Sequence, residues 1–212
     1  MQQNTNIEFI ADISKISAND DSDLHTIRDI VSDDPLTSIC LTDDNRENLT
    51  TPLFVFPLFA TLDRKIIGVI DGQDLNSRLM FSEPENIKKL WDNKDIRPIL
   101  YCIERSRVAI LHWLNDNNIN RNDVYYICSL GTTRLLRQRG IAKELAKQQI
   151  ERLKEIGATH IVVETTGSYS RRIFQSLGFN EINFVNYKQM QNDIGCNEIQ
   201  YHNGCATLVI NL

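Results

Sequence analysis

The residues with the clearest capacity for chemistry form a short basic turn, Arg137-Gln138-Arg139-Gly140-Ile141-Ala142. An apolar run over 124–127 precedes this turn, and a helical pattern follows it to about Ile156. Backbone N–H groups at the start of a helix have no intrahelical partner, and the helix dipole adds partial positive charge there. Gly140 has no Cβ, so a ligand can come close. The pattern predicts a pyrophosphate site; a basic first turn on an amphipathic helix is the alternative.

The charge of the chain is unevenly distributed, although its net value is only −5. Residues 1–50 contain eleven acids and three bases, whereas residues 134–172 contain nine bases and four acids. Two such regions would suit a cationic substrate and an anionic cofactor, and the alternative is two solvated faces. The net negative charge argues against bulk attraction to nucleic acid or to an anionic membrane.

The composition is typical of one globular domain, with 42% hydrophobic and 24% charged residues in a length of 212. The longest apolar run, Leu53 to Leu62, contains Pro57 and is far shorter than the roughly 20 residues of a membrane span. Five cysteines occur without a CxxC pair or metal-type spacing, and the N-terminus is polar. We therefore expect reduced thiols, a cytoplasmic location and no metal site.

Hydrophobic periodicity predicts alternating strands and helices in the second half of the chain and a hairpin in the first. Strands are predicted near 7–13, 54–62, 65–71, 124–130, 159–165, 182–187 and 206–212. Helices are predicted near 24–32, 97–117, 139–156 and 168–177, with a second short helix ending near Cys40. The stretch 72–96 looks irregular and polar. The order indicates a mixed α/β layer with a single sheet.

A family resemblance rests on several of these features together. The strand, the Arg137-x-x-Gly140-x-Ala142 turn, the helix, the next strand and a later Leu177-Gly178-Phe179 resemble the GCN5-related N-acetyltransferase (GNAT) family. The resemblance implies one domain over 1–212, with a mostly antiparallel sheet, two splayed parallel strands and helices on both faces. It also implies that acetyl-CoA is the co-substrate and that its pyrophosphate binds at Arg137 to Ala142.

Three further segments resemble the insect-type arylalkylamine (dopamine) N-acetyltransferases. They are Asp33-Asp34-Pro35-Leu36, Arg139-Gly140-Ile141-Ala142 and Thr166-Gly167-Ser168-Tyr169-Ser170-Arg171. In that subfamily the residue at the position of Asp34 is a glutamate that acts as the general base. The resemblance therefore implies that Asp34 is the base or the amine anchor, whereas a turn acid before Pro35 is the alternative.

The resemblance also implies roles near the donor. Leu130, Gly131 and Thr132 would offer backbone groups to the pantetheine arm, with Gly131 suited to a β-bulge. Thr166 and Ser170 would lie near the reacting centre, and helix capping is their alternative role. Many family members have a tyrosine as general acid where this chain has Phe174. Tyr169 or Ser170 would then have to act, or the thiolate would leave without a protein acid.

The function that follows is acetyl transfer to a small primary amine, best an arylalkylamine, by direct attack of the amine on the thioester. A polyamine, an amino acid or a protein amine as acceptor is the second hypothesis, and a non-catalytic acetyl-CoA-binding module is the third. The expected assembly is a monomer or a homodimer. Among the other polar residues, His160 and His202 lack a metal-like partner, and either Cys128 or Ser129 must face the cofactor.

Overall fold

A computed structural model describes residues 7–11, 26–27, 29–30, 56–94, 96–196 and 202–212. In these ranges the chain forms one sheet with the strand order β1-β2-β3-β4-β5-β7-β6. The strands are β1 (Glu8–Ile10), β2 (Leu58–Leu62), β3 (Lys65–Asp74), β4 (Val124–Thr132), β5 (His160–Thr165), β6 (Asn180–Asn186) and β7 (Gly204–Asn211). β4 and β5 run parallel, and every other neighbouring pair is antiparallel. This confirms the predicted fold class.

Six α-helices pack beside the sheet in the described ranges, and the region 72–96 differs from the sequence-based prediction. The helices are α1 (Leu75–Phe81), α2 (Pro84–Leu90), α3 (Arg97–Asp116), α4 (Ile141–Glu155), α5 (Ser168–Ser176) and α6 (Tyr187–Ile194). The prediction that 72–96 is irregular was wrong, because β3 extends to Asp74 and two helices follow. Asp74 caps α1 by accepting from the Ser77 backbone N–H, and Pro84 begins α2.

The predicted hairpin and the long helix are confirmed. β2 and β3 are joined by a two-residue loop, Asp63 and Arg64. Both residues have positive φ (51° and 66°), as a type I′ hairpin turn requires. The strand predicted over 182–187 ends at Asn186, because α6 begins at Tyr187. The predicted helix near 24–32 is helical at 26–27 and 29–30. The second short helix, to Cys40, lies outside the described residues.

The core lies on both faces of the sheet. On one face, Leu145 and Leu153 of α4 pack with Ile127 of β4 and with Ile161 and Val163 of β5. On the opposite face, α1 and α3 pack against β4 and β5 through a second cluster that includes Leu75, Ile110 and Val162. In the part of the chain that the structure describes, no helix is both long and apolar enough to cross a membrane.

β4 and β5 separate halfway along their length. Their paired positions run from Val124 and His160 to Ile127 and Val163, but β4 continues to Thr132. The β3–β4 register shifts so that Cys128 is an extra residue in β4. The bulge expected at Gly131 therefore lies three residues earlier, at Cys128. Gly131 serves close packing, because a Cβ there would come within 2.6 Å of the Ile30 side chain.

Candidate functional site

A cavity of about 930 Å³ opens where β4 and β5 separate. Its lining includes most of the residues that the sequence predicted for a site. These are Leu130, Gly131, Thr132, Arg137, Gln138, Gly140, Ile141, Ala142, Thr166 and Ser170. Arg139 belongs to the same turn without lining the cavity, and Asp34 lies outside the described residues. The fold thus brings together segments that are separate in the sequence.

The basic turn enters α4 through two residues in the left-handed region. Gln138 has φ 63°, and Gly140, the N-cap of α4, has φ 80°. No side chain caps this helix start, and no atom lies within 4 Å of the place where a Cβ of Gly140 would be. Successive N–H groups in such a turn and the first helical turn converge on one point and favour an anion. The geometry therefore suits a pyrophosphate beside Ile141 and Ala142.

The end of β4 offers backbone groups to the cavity. Positions Ser129 to Thr132 pair with β3 along one edge of the strand. The opposite edge has no strand partner beyond Ile127 among the described residues, since the β4–β5 pairing ends there. Backbone N–H and C=O groups require partners. An extended amide-containing arm in the gap could pair with this edge as a strand would.

Hydrogen bonds fix the turn that leads from β5 into α5. The Tyr187 hydroxyl donates to the carbonyl oxygen of Thr166 at 2.6 Å. Ser170 Oγ donates to the carbonyl oxygen of Gly167 at 3.0 Å. This bond lies within the first turn of α5, whose N-cap, Gly167, makes no side-chain capping bond, so the capping role expected for Thr166 and Ser170 was wrong. Ser170 also lines the cavity, and its hydroxyl keeps acceptor capacity after it donates.

His202 is a cavity residue that the sequence did not reveal. Its Nδ1 accepts from the Ser168 backbone N–H at 3.2 Å, and its ring meets the Tyr169 ring edge to face. The hydrogen-bond network therefore assigns the proton to Nε2. His202 was predicted to lie in a polar loop without a metal-like partner. Its 34-residue separation from Ser168 gives no local signal, so only the fold reveals the contact.

The sequence predicted that either Cys128 or Ser129 faces the cofactor. In the structure both residues line the cavity. Desolvation by the surrounding protein, followed by the charge of Asp71, raises the pKa of the Cys128 thiol well above its usual value. The residue is exposed where it lines the cavity. The thiol thus stays protonated at neutral pH and is a poor nucleophile. Ser129 Oγ is buried without a hydrogen-bond partner among the described residues.

Phe174 is almost fully buried and lines the cavity beside Phe179, with ring centroids 5.1 Å apart. It has no proton to donate to a leaving group. The described residues contain no cluster of three or more His, Cys, Asp or Glu side chains that could hold a metal ion.

The acetyltransferase (GNAT) family model matches residues 24–179, which is most of the chain and includes the end of β4, the basic turn, α4, β5 and α5. The chain belongs to this family. It is accordingly an acyltransferase of a family that uses acetyl-CoA as co-substrate. No curated protein sequence matches the chain.

Solved structures share the GNAT fold over nearly the whole chain. Arylalkylamine N-acetyltransferase 2 from Aedes aegypti has a TM-score of 0.75 and 18% identity, covering 97% of this chain and 99% of that one. An agmatine N-acetyltransferase has a TM-score of 0.73 and 19% identity, covering 98% and 100%. The polyamine N-acetyltransferase of Drosophila melanogaster has a TM-score of 0.67 and 18% identity, also covering 98% and 100%. At these identities the likeness establishes the fold.

Replacing Tyr187 with phenylalanine is expected to loosen the turn at Thr166. The variant loses one buried hydrogen bond and leaves the Thr166 carbonyl without that donor, which costs about 1–3 kcal/mol of unfolding free energy. Urea denaturation measures this value. Tyr101→Phe is the matched control, because the Tyr101 hydroxyl bonds Asp193 on the exposed surface at 2.5 Å. Equal losses in both variants would contradict a special role for the buried bond.

Proposed function

We propose that this chain is an acetyl-CoA-dependent N-acetyltransferase for a small primary amine, best an arylalkylamine, and that residues 1–212 act as one domain. The observation that carries the proposal is the cavity itself. It reaches from the basic turn before α4 to Ile99 of α3, a helix on the other face of the sheet, and Ile30 and Tyr169 add apolar and aromatic surface to its lining. A donor and an acceptor can enter such a cavity from opposite faces and meet between β4 and β5.

The donor would be held by main-chain groups. The N–H groups at the start of α4 and the Arg137 side chain suit the pyrophosphate. The free edge of β4 from Leu130 to Thr132 suits the amides of the pantetheine arm. Acetyl-CoA, when bound, supplies a thioester whose acetyl group is transferred. Thr166 and Ser170 line the same cavity, and we propose that their hydroxyls donate to developing negative charge. For Ser170 this requires its hydroxyl to turn away from the Gly167 carbonyl when the substrates bind.

The acceptor must reach the reaction as a neutral amine. Alkyl amines are mostly protonated at pH 7, so a base must take a proton directly or through water. We propose Asp34 for this role on the strength of the Asp33-Asp34-Pro35-Leu36 resemblance. The helical residue Ile30, four positions earlier in the sequence, lines the cavity and packs on Gly131. With Cys128 kept protonated, direct attack by the amine is the chemistry that these side chains favour.

A polyamine acceptor is the second candidate. Two proteins of similar fold are named as agmatine and polyamine acetyltransferases. One feature of this chain favours the same class, since the carboxylate of Glu164 lines the cavity and would attract a cationic acceptor.

The decisive assay follows thiol release from acetyl-CoA with tyramine, dopamine, serotonin or spermidine as acceptor. We expect turnover with at least one of them and a preference that assigns the acceptor class. Calorimetric titration with acetyl-CoA alone serves as the control for donor binding. Tight donor binding without thiol release from any amine would instead support a non-catalytic acetyl-CoA-binding module.

Asp34→Asn is expected to lower kcat/KM by about 100-fold, within the range that a positioned general base contributes. The wild-type rate should rise with pH as the base loses its proton, whereas the variant should lose this rise. Asp33→Asn is the matched control, as it removes a neighbouring acid of the same segment. An unchanged pH profile in Asp34→Asn would exclude Asp34 as the base.

A further inference from the structure

The carboxylate of Glu164, which lines the cavity, belongs to a buried ion pair. Nη2 of Arg78, on α1, lies 2.9 Å and 2.7 Å from the two carboxylate oxygens of Glu164, on β5. Both side chains are largely buried, with relative exposures of 7% and 10%. The Arg78 guanidinium also lies over the Tyr126 ring, 5.1 Å from its centroid. Glu164 is therefore held in one position.

Glu164 faces the acceptor side of the sheet. Ile161 and Val163 pack with α4, whereas Val162 packs with α1 and α3. Side chains alternate along a strand, so Glu164 shares the face of Val162. It follows Val163, the last β5 residue paired with β4, and lines the cavity. Among the described residues of that lining, Glu164 alone carries a carboxylate. The cationic residues of the lining are Arg137, before α4, Lys143, on α4, and Arg172, on α5.

Several carboxylates act on this part of the cavity, although Glu164 has a cationic partner. After desolvation, the charges of Asp71, Glu164 and Asp74 raise the pKa of the Cys128 thiol, whereas the charge of Arg78 lowers it. A cationic group in this part of the cavity would therefore be stabilised by its surroundings.

We propose that Glu164 binds the ammonium group of the acceptor amine and that Arg78 positions the carboxylate for this contact. A carboxylate offers about four lone-pair sites, and Nη2 of Arg78 takes one on each oxygen, so acceptor capacity remains toward the cavity. The inference rests on the proposed function, since it assigns the recognition of that acceptor. It also predicts discrimination: an alkylammonium compound should bind better than a neutral compound of the same shape.

The test compares tyramine with 4-propylphenol, in which a methyl group replaces the ammonium, by calorimetry on the complex with CoA. Glu164→Gln should raise the Kd of tyramine about 10- to 100-fold, the loss expected for a charge-assisted hydrogen bond. The Kd of the neutral compound should change by less than about 3-fold, because it makes no such contact. Glu83→Gln is the matched control, as it disrupts the ion pair with Arg107 on the surface. It should leave both constants unchanged.

Glu164→Gln leaves the buried charge of Arg78 without its partner, which can prevent folding. A second variant is therefore needed. Arg78→Met with Glu164→Gln removes both charges, and it too should bind tyramine weakly and the neutral compound normally. If binding of tyramine and binding of the neutral compound were weakened equally, the proposal would be overturned, because that result indicates a deformed pocket. Unchanged tyramine binding, or no tyramine binding by the wild-type complex, would overturn it as well. The proposed function fails separately, by absence of thiol release from any amine, because these binding measurements require no turnover.

Discussion

Replacing Gly140 with alanine should weaken acetyl-CoA binding on the order of 100-fold, a change of about 2.7 kcal/mol. Gly140 has φ 80°, a conformation that costs a residue with a Cβ about 1–2 kcal/mol. An alanine must either keep this strained conformation or turn its N–H away from the anion. In the first case its methyl group also occupies the open space that a pyrophosphate would enter. Titration calorimetry with acetyl-CoA gives the change directly.

Gly157→Ala provides a matched control at the other end of the same helix. Gly157 has φ 95° and, like Gly140, no atom within 4 Å of a Cβ position, but it does not line the cavity. Both variants should therefore lose about 1–2 kcal/mol of unfolding free energy from backbone strain. Only Gly140→Ala should lose donor affinity. Equal acetyl-CoA affinity in the two variants would refute a pyrophosphate site at this turn.

The donor half of the site was predictable because its signals are local. A strand, a glycine-containing basic turn and a helix follow one another within about 30 residues, and each has a characteristic residue pattern. The same holds for the hairpin at Asp63 and Arg64 and for α3, which has a regular apolar face. These elements specify where β4 ends and α4 begins, and so where the proposed anion site lies.

The acceptor half was poorly predictable because its contacts join distant segments. α1 and α2 are seven residues each, too short for a clear helical period, and α1 supplies Arg78. Arg78 and Glu164 are 86 residues apart, and Ser168 and His202 are 34 apart. No spacing rule links such pairs. The bulge was predicted at Gly131 but lies at Cys128. Residue 131 is a glycine because it packs closely against Ile30.

Removing the charge of Arg78 alone is expected to have the largest effect on stability. Arg78→Met leaves Glu164 buried without its cation, and breaking a buried pair in this way costs about 3–5 kcal/mol. That is a large part of the roughly 5–15 kcal/mol by which typical domains are stable. Chemical denaturation of the variant should therefore show a much lower midpoint. The pair of Arg107 and Glu83 is the matched control, because Glu83 is about half exposed.

Arg107→Met should cost less than about 1 kcal/mol, as surface pairs usually do. The double variant Arg78→Met with Glu164→Gln should recover most of the stability lost by Arg78→Met, because no unpaired charge remains in the interior. Failure to recover would mean that Arg78 stabilises the fold through its contact with the Tyr126 ring instead of through Glu164. Recovery of stability without recovery of tyramine binding would separate the two roles of the pair. That outcome would indicate that the charge pair is retained for recognition of the acceptor and not for stability of the fold.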